Sequence, residues 1–226
     1  MKENFAGDKK VGDSILGKAE RTFKAWGLPK IPAWLETYHL TMLTLVWSGL
    51  NLLWGHIAKV QGNLHWLWMV SLMIILQYIT DLFDGAVGRA RDTGLVKWGY
   101  FMDHFLDYIF LCSLVAAGFL IAPPGLHFWY MILLIVVGGF MVSSFLGFAA
   151  TNEFQIYYYG FGPTEMRIVF IIINTVIIFT GTGHFTCSVP ILVGICFVGL
   201  CINVFFAQKK LWKIDMDSKS NPTEPD

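Results

Sequence analysis

The sequence predicts an all-α integral membrane protein with six transmembrane helices, preceded by an amphipathic helix at the membrane interface. Of its 226 residues, 55% are hydrophobic and 14% are charged, against about 25% charged in an average soluble domain. Six apolar runs are each long enough to cross a bilayer core, which requires about 20 residues. Lys+Arg and Asp+Glu both number 16, so no basic surplus indicates nucleic-acid binding.

The first element is a candidate interfacial helix in the N-terminal segment, residues 1–37. Asp13 and Ser14 are residue types that cap helix starts. The residues after them divide into an apolar face of Ile15, Leu16, Ala19, Phe23 and Trp26 and a charged face of Lys18, Glu20, Arg21 and Lys24. This pattern is typical of a helix on the membrane surface, although a solvated surface helix is the alternative. A span that begins about a dozen residues later favours the membrane.

Six spans form the predicted membrane domain, residues 38–208. They cover residues 38–58, 64–84, 98–122, 126–151, 166–181 and 189–207. Pro123-Pro124-Gly125 and Gly181-Thr182-Gly183 supply tight breaks between spans, because these residues rarely continue a helix. The remaining residues, 209–226, are polar and are predicted to form a disordered tail.

The distribution of Lys and Arg predicts how the spans are oriented. In this topology, 15 of the 16 lie on the side that holds both termini, and Lys59 alone lies on the other side. Cytoplasmic loops of membrane proteins carry the excess of Lys and Arg. Both termini, the loop between the second and third spans and the loop between the fourth and fifth are therefore expected to be cytoplasmic.

Four acidic residues interrupt the second and third spans. Asp81 and Asp84 are three residues apart, and Asp103 and Asp107 are four apart, so each pair shares one face of its helix. The two helices are consecutive and joined by a short loop. We therefore expect them to be antiparallel neighbours whose four carboxylates converge.

Such a cluster predicts a divalent metal site. Four carboxylates in a partly desolvated site repel one another and are destabilising without cations. Oxygen ligands favour Mg²⁺, Mn²⁺ or Ca²⁺ over zinc, because no Cys and no pair of His residues joins the acids. Four acids are enough to bridge two ions about 3.5–4 Å apart, an arrangement that suits phosphoryl transfer. The alternative is a small transporter, in which intramembrane acids serve helix packing or proton relay.

The acids belong to a longer pattern that resembles a known signature. It reads D-x2-D-G-x2-G-R, nine residues, then G-x3-D-x3-D, and its fixed positions are Asp81, Asp84, Gly85, Gly88, Arg89, Gly99, Asp103 and Asp107. This resembles the signature of the CDP-alcohol phosphotransferases, integral membrane enzymes of phospholipid synthesis with six transmembrane helices and a cytoplasmic-side active site. The one departure is Gly88, which stands where the family usually has Ala and keeps the position small.

The resemblance implies a role for each residue of the signature. Asp81, Asp84 and Asp103 hold Mg²⁺ or Mn²⁺, as two ions, and Asp107 is a ligand, the general base or both. The CDP-binding residues implied are Asp81, Asp84, Gly85, Arg89 and Gly99. Gly85 leaves room for the nucleotide near the backbone, and Arg89 offers a permanently charged donor to phosphate oxygens. An alternative for Arg89 is a positively charged anchor that reaches the membrane surface, a role that Arg91 and Lys97 fit better.

Two further segments resemble the choline- and ethanolaminephosphotransferase branch of this family. They are Asp103-His104-x-x-Asp107 and Gly162-Pro163-Thr164-Glu165. That branch joins a CDP-amino alcohol to diacylglycerol, and the resemblance implies that His104, oriented by Glu165, takes the proton of the attacking hydroxyl. The alternatives are that His104 only bonds between helices and that Glu165 is a charge at a helix start.

The lipid partner is diacylglycerol in this interpretation, and CDP-diacylglycerol with a small neutral alcohol is the alternative. The loop from Thr151 to Glu165 has no basic residue, which disfavours an acceptor that carries a phosphate. Its aromatic stretch, residues 157–161, is a candidate for an acyl or choline-like site or for an interfacial aromatic belt.

Family relatives are commonly dimers. Small residues in the fourth span suit either a homodimer contact or packing within one subunit, namely Gly138, Gly139, Ser143 and Ser144.

Overall fold

The computed structural model describes residues 9–11, 16–151, 153–155 and 162–220. Seven α-helices account for most of them, and the six that follow the first are long and apolar enough to cross a membrane. The helices are α1 (Gly17–Gly27), α2 (Thr37–Gln61), α3 (Leu67–Ala90), α4 (Val96–Ile121), α5 (His127–Thr151), α6 (Pro163–Thr180) and α7 (Phe185–Ser220). The prediction of an all-α integral membrane protein with six spans is confirmed. Since six helices cross, α2 begins and α7 ends on one side, which we call the terminal face.

Two local features differ from the prediction. Two three-residue strands, β1 (Lys9–Val11) and β2 (Glu153–Gln155), pair in parallel. The expected disordered tail from residue 209 is wrong as far as Ser220, because α7 continues to that residue. Extending an existing helix avoids the cost of nucleation, so a polar sequence, here with four Lys among residues 209–220, can continue it without a core to pack against. Residues 221–226, Asp13, Ser14 and the aromatic stretch 157–161 lie outside the described residues.

The helix α2 is the centre of the bundle, because it packs along both α3 and α4. Apart from Leu40, its buried residues form a seam of small and polar side chains spaced alternately by three and four: Thr37, Thr41, Thr44, Ser48, Asn51, Gly55 and Ala58. Small side chains let helix backbones approach closely within a membrane. A Cβ atom at Gly55 would lie 3.0 Å from Ala117 of α4. The consecutive helices α3 and α4 touch each other little, so the expectation that they are close neighbours is wrong: α2 lies between them.

Two of the small residues of α5 pack against α7 within the subunit. A Cβ atom at Gly139 would lie 2.7 Å from the side chain of Leu200 on α7. Ser143 accepts a hydrogen bond from Asn203 of α7, with Nδ2 and Oγ 3.2 Å apart. These contacts account for Gly139 and Ser143 within one subunit, and the homodimer stays a prediction. Helix α6 packs against α3.

The N-terminal segment is fixed to the end of α3 at the terminal face. The Arg91 guanidinium donates hydrogen bonds to the backbone carbonyls of four residues between α1 and α2, namely Ile31, Pro32, Ala33 and Leu35. It also lies 3.5 Å from the Glu36 carboxylate. A guanidinium has five N–H donors in a planar fork, which suits several carbonyls at once. Arg91 is therefore a structural clamp and not the membrane-surface anchor suggested by the sequence.

Helix α1 turns part of its charged side toward the protein. Ala19, Phe23 and Trp26 are exposed, while Glu20 and Lys24 are partly buried and line a cavity. The exposed apolar residues agree with a helix that lies on the membrane surface. The charged face, however, does not point only to solvent, because part of it forms one wall of that cavity.

Candidate active site

A cavity of about 580 Å³ opens among α1, α2, the ends of α3 and α4, and the start of α6. The loop between α3 and α4 contributes residues 92–95 to its wall. Seven of the eight residues of the signature line it: Asp81, Asp84, Gly85, Gly88, Arg89, Gly99 and Asp103. The cavity therefore brings together residues that the sequence places 22 positions apart.

Three of the four predicted metal ligands form one compact group. Asp81, Asp103 and Asp107 each offer a carboxylate oxygen, and these atoms all lie within 4.8 Å of one another. Carboxylate oxygens at such spacing fit a hard divalent cation such as Mg²⁺ or Mn²⁺. Asp81 belongs to α3, and Asp103 and Asp107 belong to α4. Their carboxylates come together at the site although α2 separates these two helices over most of their length.

Asp84 lies outside this group. Its side chain is buried, and its Oδ2 accepts a hydrogen bond from Thr41 Oγ1 at 3.0 Å. Its Oδ1 accepts from the backbone N–H of Gly85, and the neighbouring Thr37 hydroxyl donates to the Asp84 carbonyl at 2.7 Å. The threonines at the start of α2 thus fix the position of Asp84 in the cavity wall.

A partly buried arginine and a fully buried glutamine complete the acidic group. Arg167 Nη2 lies 2.7 Å from Asp81 Oδ2 and 3.8 Å from Asp107 Oδ1. Gln77, which is 0% exposed, accepts from Arg167 Nε at 2.9 Å and donates to Asp107 Oδ1 at 2.9 Å. The network connects α3, α4 and α6, so it fixes the acids of two helices relative to the third.

The glycines of the signature face different surroundings. A Cβ atom at Gly85 would lie 3.3 Å from the Arg89 guanidinium, whereas one at Gly99 would meet no atom within 4 Å. A Cβ atom at Gly88 would lie 3.3 Å from Thr37 Oγ1, which is a physical reason for Gly in place of Ala in this chain. Arg89 is exposed at the cavity and has no ion-pair partner among the described residues.

His104 also lines the cavity, and its contacts define its tautomer. Its Nδ1 lies 2.8 Å from the backbone carbonyl of Tyr100 and 3.5 Å from Asp103 Oδ2. Because a carbonyl oxygen only accepts hydrogen bonds, this contact favours the proton on Nδ1, which leaves Nε2 as the accepting nitrogen whenever the ring is neutral. Asp107, the alternative base, does not belong to the described cavity wall.

Glu165 is a buried helix cap. Its Oε2 accepts from the backbone N–H of Gly162 at 2.8 Å, and its Oε1 accepts from that of Leu16 at 3.4 Å. Next to it, the Thr164 hydroxyl donates to Glu20 of α1. These contacts stabilise the start of α6 and fix α1 to it, which is a structural function. The predicted role of Glu165 in orienting His104 stays a prediction.

Sequence reasoning missed several residues of the site. Gln77 precedes Asp81 by four residues, so it lies on the same face of α3, and a polar residue within an apolar run is a signal that could have identified it. In the sequence, Arg167 is only one of the many basic residues of the terminal face. Glu20 and Tyr78 of the cavity wall carry no signal in the sequence that would place them at the site.

Comparison with known families decides the family. The family model described as CDP-alcohol phosphatidyltransferase matches residues 30–205. The chain belongs to this family. As a member, it is an integral membrane transferase of phospholipid synthesis that uses a CDP-linked alcohol as donor, and the match favours the enzyme over the transporter. A comparison with curated proteins gives no match.

Proposed function

We propose that the protein is a divalent-metal-dependent enzyme that transfers a substituted phosphate group from a CDP-linked donor to an alcohol, with release of CMP. The observation that carries this proposal is the group of Asp81, Asp103 and Asp107 beside a cavity lined by Arg89 and Gly99. The preferred reaction joins a CDP-amino alcohol to diacylglycerol. The active site and both termini face the cytoplasm, as the excess of Lys and Arg on the terminal face suggests.

Asp81, Asp103 and Asp107 hold Mg²⁺ or Mn²⁺ in this proposal, and Asp84 lies beside them in the cavity wall. When bound, the ions neutralise the pyrophosphate of the donor and stabilise CMP as the leaving group. Arg89 donates to phosphate oxygens, since it is exposed at the cavity and lacks an ion-pair partner among the described residues. The Gly99 position, where a Cβ atom meets nothing within 4 Å, leaves room for the nucleotide.

His104 is the proposed general base. The acceptor hydroxyl gives its proton to Nε2, and its oxygen forms a bond to the phosphorus farther from cytidine. The phosphoanhydride bond breaks, and the CMP oxygen leaves with the bonding electron pair. The tautomer set by the Tyr100 carbonyl and the place of His104 in the cavity wall support this assignment over Asp107.

The choice of donor rests on the two segments that resemble the amino-alcohol branch and on the loop without basic residues. Its test incubates the purified protein with radiolabelled CDP-choline, CDP-ethanolamine or CDP-diacylglycerol, with diacylglycerol and small alcohols as acceptors. We expect label from a CDP-amino alcohol in a new lipid. Phosphatidyl transfer from CDP-diacylglycerol, with neither CDP-amino alcohol used, would reject the preferred reaction and support the alternative.

A further inference from the structure

Arg167 places a positive charge inside the acidic group that is proposed to bind metal, so any role for this charge at the metal site rests on the proposed function. Its Nη2 lies 2.7 Å from Asp81 Oδ2 and 3.8 Å from Asp107 Oδ1, and its side chain is 13% exposed. A guanidinium stays protonated at any pH at which the protein is folded. The charge can therefore leave the acids only if the side chain moves.

The position of the guanidinium is fixed by a second buried side chain. Arg167 Nε donates to Gln77 Oε1, and the amide of Gln77 donates to Asp107. Gln77 is fully buried, so its position is set by packing within α3 and its neighbours. A basic residue that served only as a membrane-surface anchor would extend its charged end toward water. Arg167 does the opposite and points its charged end at the acids.

Two of the same carboxylates are needed by Arg167 and by a metal ion. Asp81 and Asp107, which face the guanidinium, are two of the three candidate ligands. A positive charge a few ångströms away lowers the attraction of these carboxylates for a divalent cation. Without any cation, the three carboxylates repel one another in a partly desolvated site.

We propose that Arg167 is the resident counter-cation of the metal site: it stabilises the ligand set when no ion is bound and lowers the affinity for the ion that binds. It acts through the acids, so it is a positioning residue and not a catalytic one. Coupling between two ligands is reciprocal, so metal binding weakens the hold of the acids on Arg167. Gln77 hydrogen-bonds both Arg167 and Asp107, so it keeps the Arg167 side chain close to the acids.

The test measures Mn²⁺ affinity of the purified full-length protein, without donor or acceptor, from the electron paramagnetic resonance signal of free Mn²⁺. We expect Arg167→Gln to lower the Kd for Mn²⁺ by roughly tenfold, within the usual range of coupling between sites. Lys97→Gln is the matched control, because it removes the same charge from an exposed position on α4, and its Kd should stay within about twofold of wild type, as expected for a solvent-screened charge. Thermal unfolding in chelator should show a lower Tm for Arg167→Gln, and Mn²⁺ should raise that Tm more than it raises the wild-type Tm.

Arg167→Lys separates charge from shape. It keeps the positive charge, so the proposal predicts a Kd within about threefold of wild type, since a point charge preserves most of the Coulomb term. An unchanged or weaker Mn²⁺ affinity in Arg167→Gln overturns the proposal. If Arg167→Gln does not fold, a large loss of affinity in Arg167→Lys overturns it equally. Failure of the wild type to bind Mn²⁺ would instead reject the metal site of the proposed function.

Discussion

Replacing Gln77 with Leu tests whether the buried network holds the acids in place. Gln77 makes two hydrogen bonds of 2.9 Å, one from Arg167 and one to Asp107, and is 0% exposed. Leu has a similar size but can make neither bond. Two interhelical bonds of average strength in a membrane protein amount to about 1 kcal/mol. Bonds to charged partners contribute about 1.5–3 kcal/mol each, and both partners here are charged, so we expect a destabilisation of about 3 kcal/mol.

The control for this experiment is another fully buried amide in the same bundle. Asn51 of α2 is 0% exposed and donates one hydrogen bond, to Ser113 at 3.0 Å. Ser113 lies six residues beyond Asp107 on α4, about 9 Å along the helix axis. The Oδ1 atom of Asn51 has no hydrogen-bond partner among the described residues. Asn51→Leu should therefore cost less than about 1.5 kcal/mol, the upper end for one neutral hydrogen bond.

Gln77→Leu and Asn51→Leu are compared in two assays. The first is thermal or denaturant unfolding in detergent, and the second is the rate of CMP release per folded molecule. Gln77→Leu should lose stability and also lower the rate by at least about tenfold, because misplacement of catalytic groups by about 1 Å has effects of this size or larger. Asn51→Leu should keep the wild-type rate. Equal rates in the two variants would refute the idea that Gln77 positions Asp107 and Arg167.

Three further predictions concern the base, the nucleotide space and the topology. His104→Ala should lower CMP release by about 100-fold or more, the usual contribution of a general base, with the Kd for Mn²⁺ unchanged; a parallel loss of Mn²⁺ affinity would indicate a structural role. A Cβ atom at Gly99 or at Gly147 would meet no atom within 4 Å, so both Gly99→Leu and Gly147→Leu should fold. Only Gly99 lines the cavity, so only Gly99→Leu should raise the KM for the CDP-linked donor, by roughly tenfold. Cysteine labelling from outside intact cells should reach Gly62 and Thr182 but neither terminus; any mixed pattern would contradict the six-span topology.

The sequence was sufficient for the spans, because length and apolar composition alone decide what crosses a bilayer. Each predicted span overlaps one of the helices α2 to α7. The prediction that the chain is disordered from residue 209 was wrong, because α7 continues to Ser220. Composition reports whether a segment can bury apolar surface, but it does not report whether an existing helix can be extended.

The acids of the site were predictable and their supports were not. The spacing of Asp81, Asp103 and Asp107 marks helix faces, and the structure brings their carboxylates together. The expectation that α3 and α4 pack closely along their length was wrong, since chain order does not reveal that the small residues of α2 let it lie between them. The partnership of Gln77 with Arg167 spans 90 positions, and only the tertiary structure shows it.

The most direct test of the proposed metal-dependent transfer is the dependence of CMP release on divalent metal, measured with the purified protein and a mixture of CDP-linked donors and lipid acceptors. We expect no release in the presence of chelator, and recovery when Mg²⁺ or Mn²⁺ is added in excess. Asp103→Asn, which removes a charged ligand from the group formed with Asp81 and Asp107, should lower the rate by orders of magnitude at the same metal concentration. A full rate of CMP release in chelator, or a wild-type rate in Asp103→Asn, would contradict the metal-dependent mechanism.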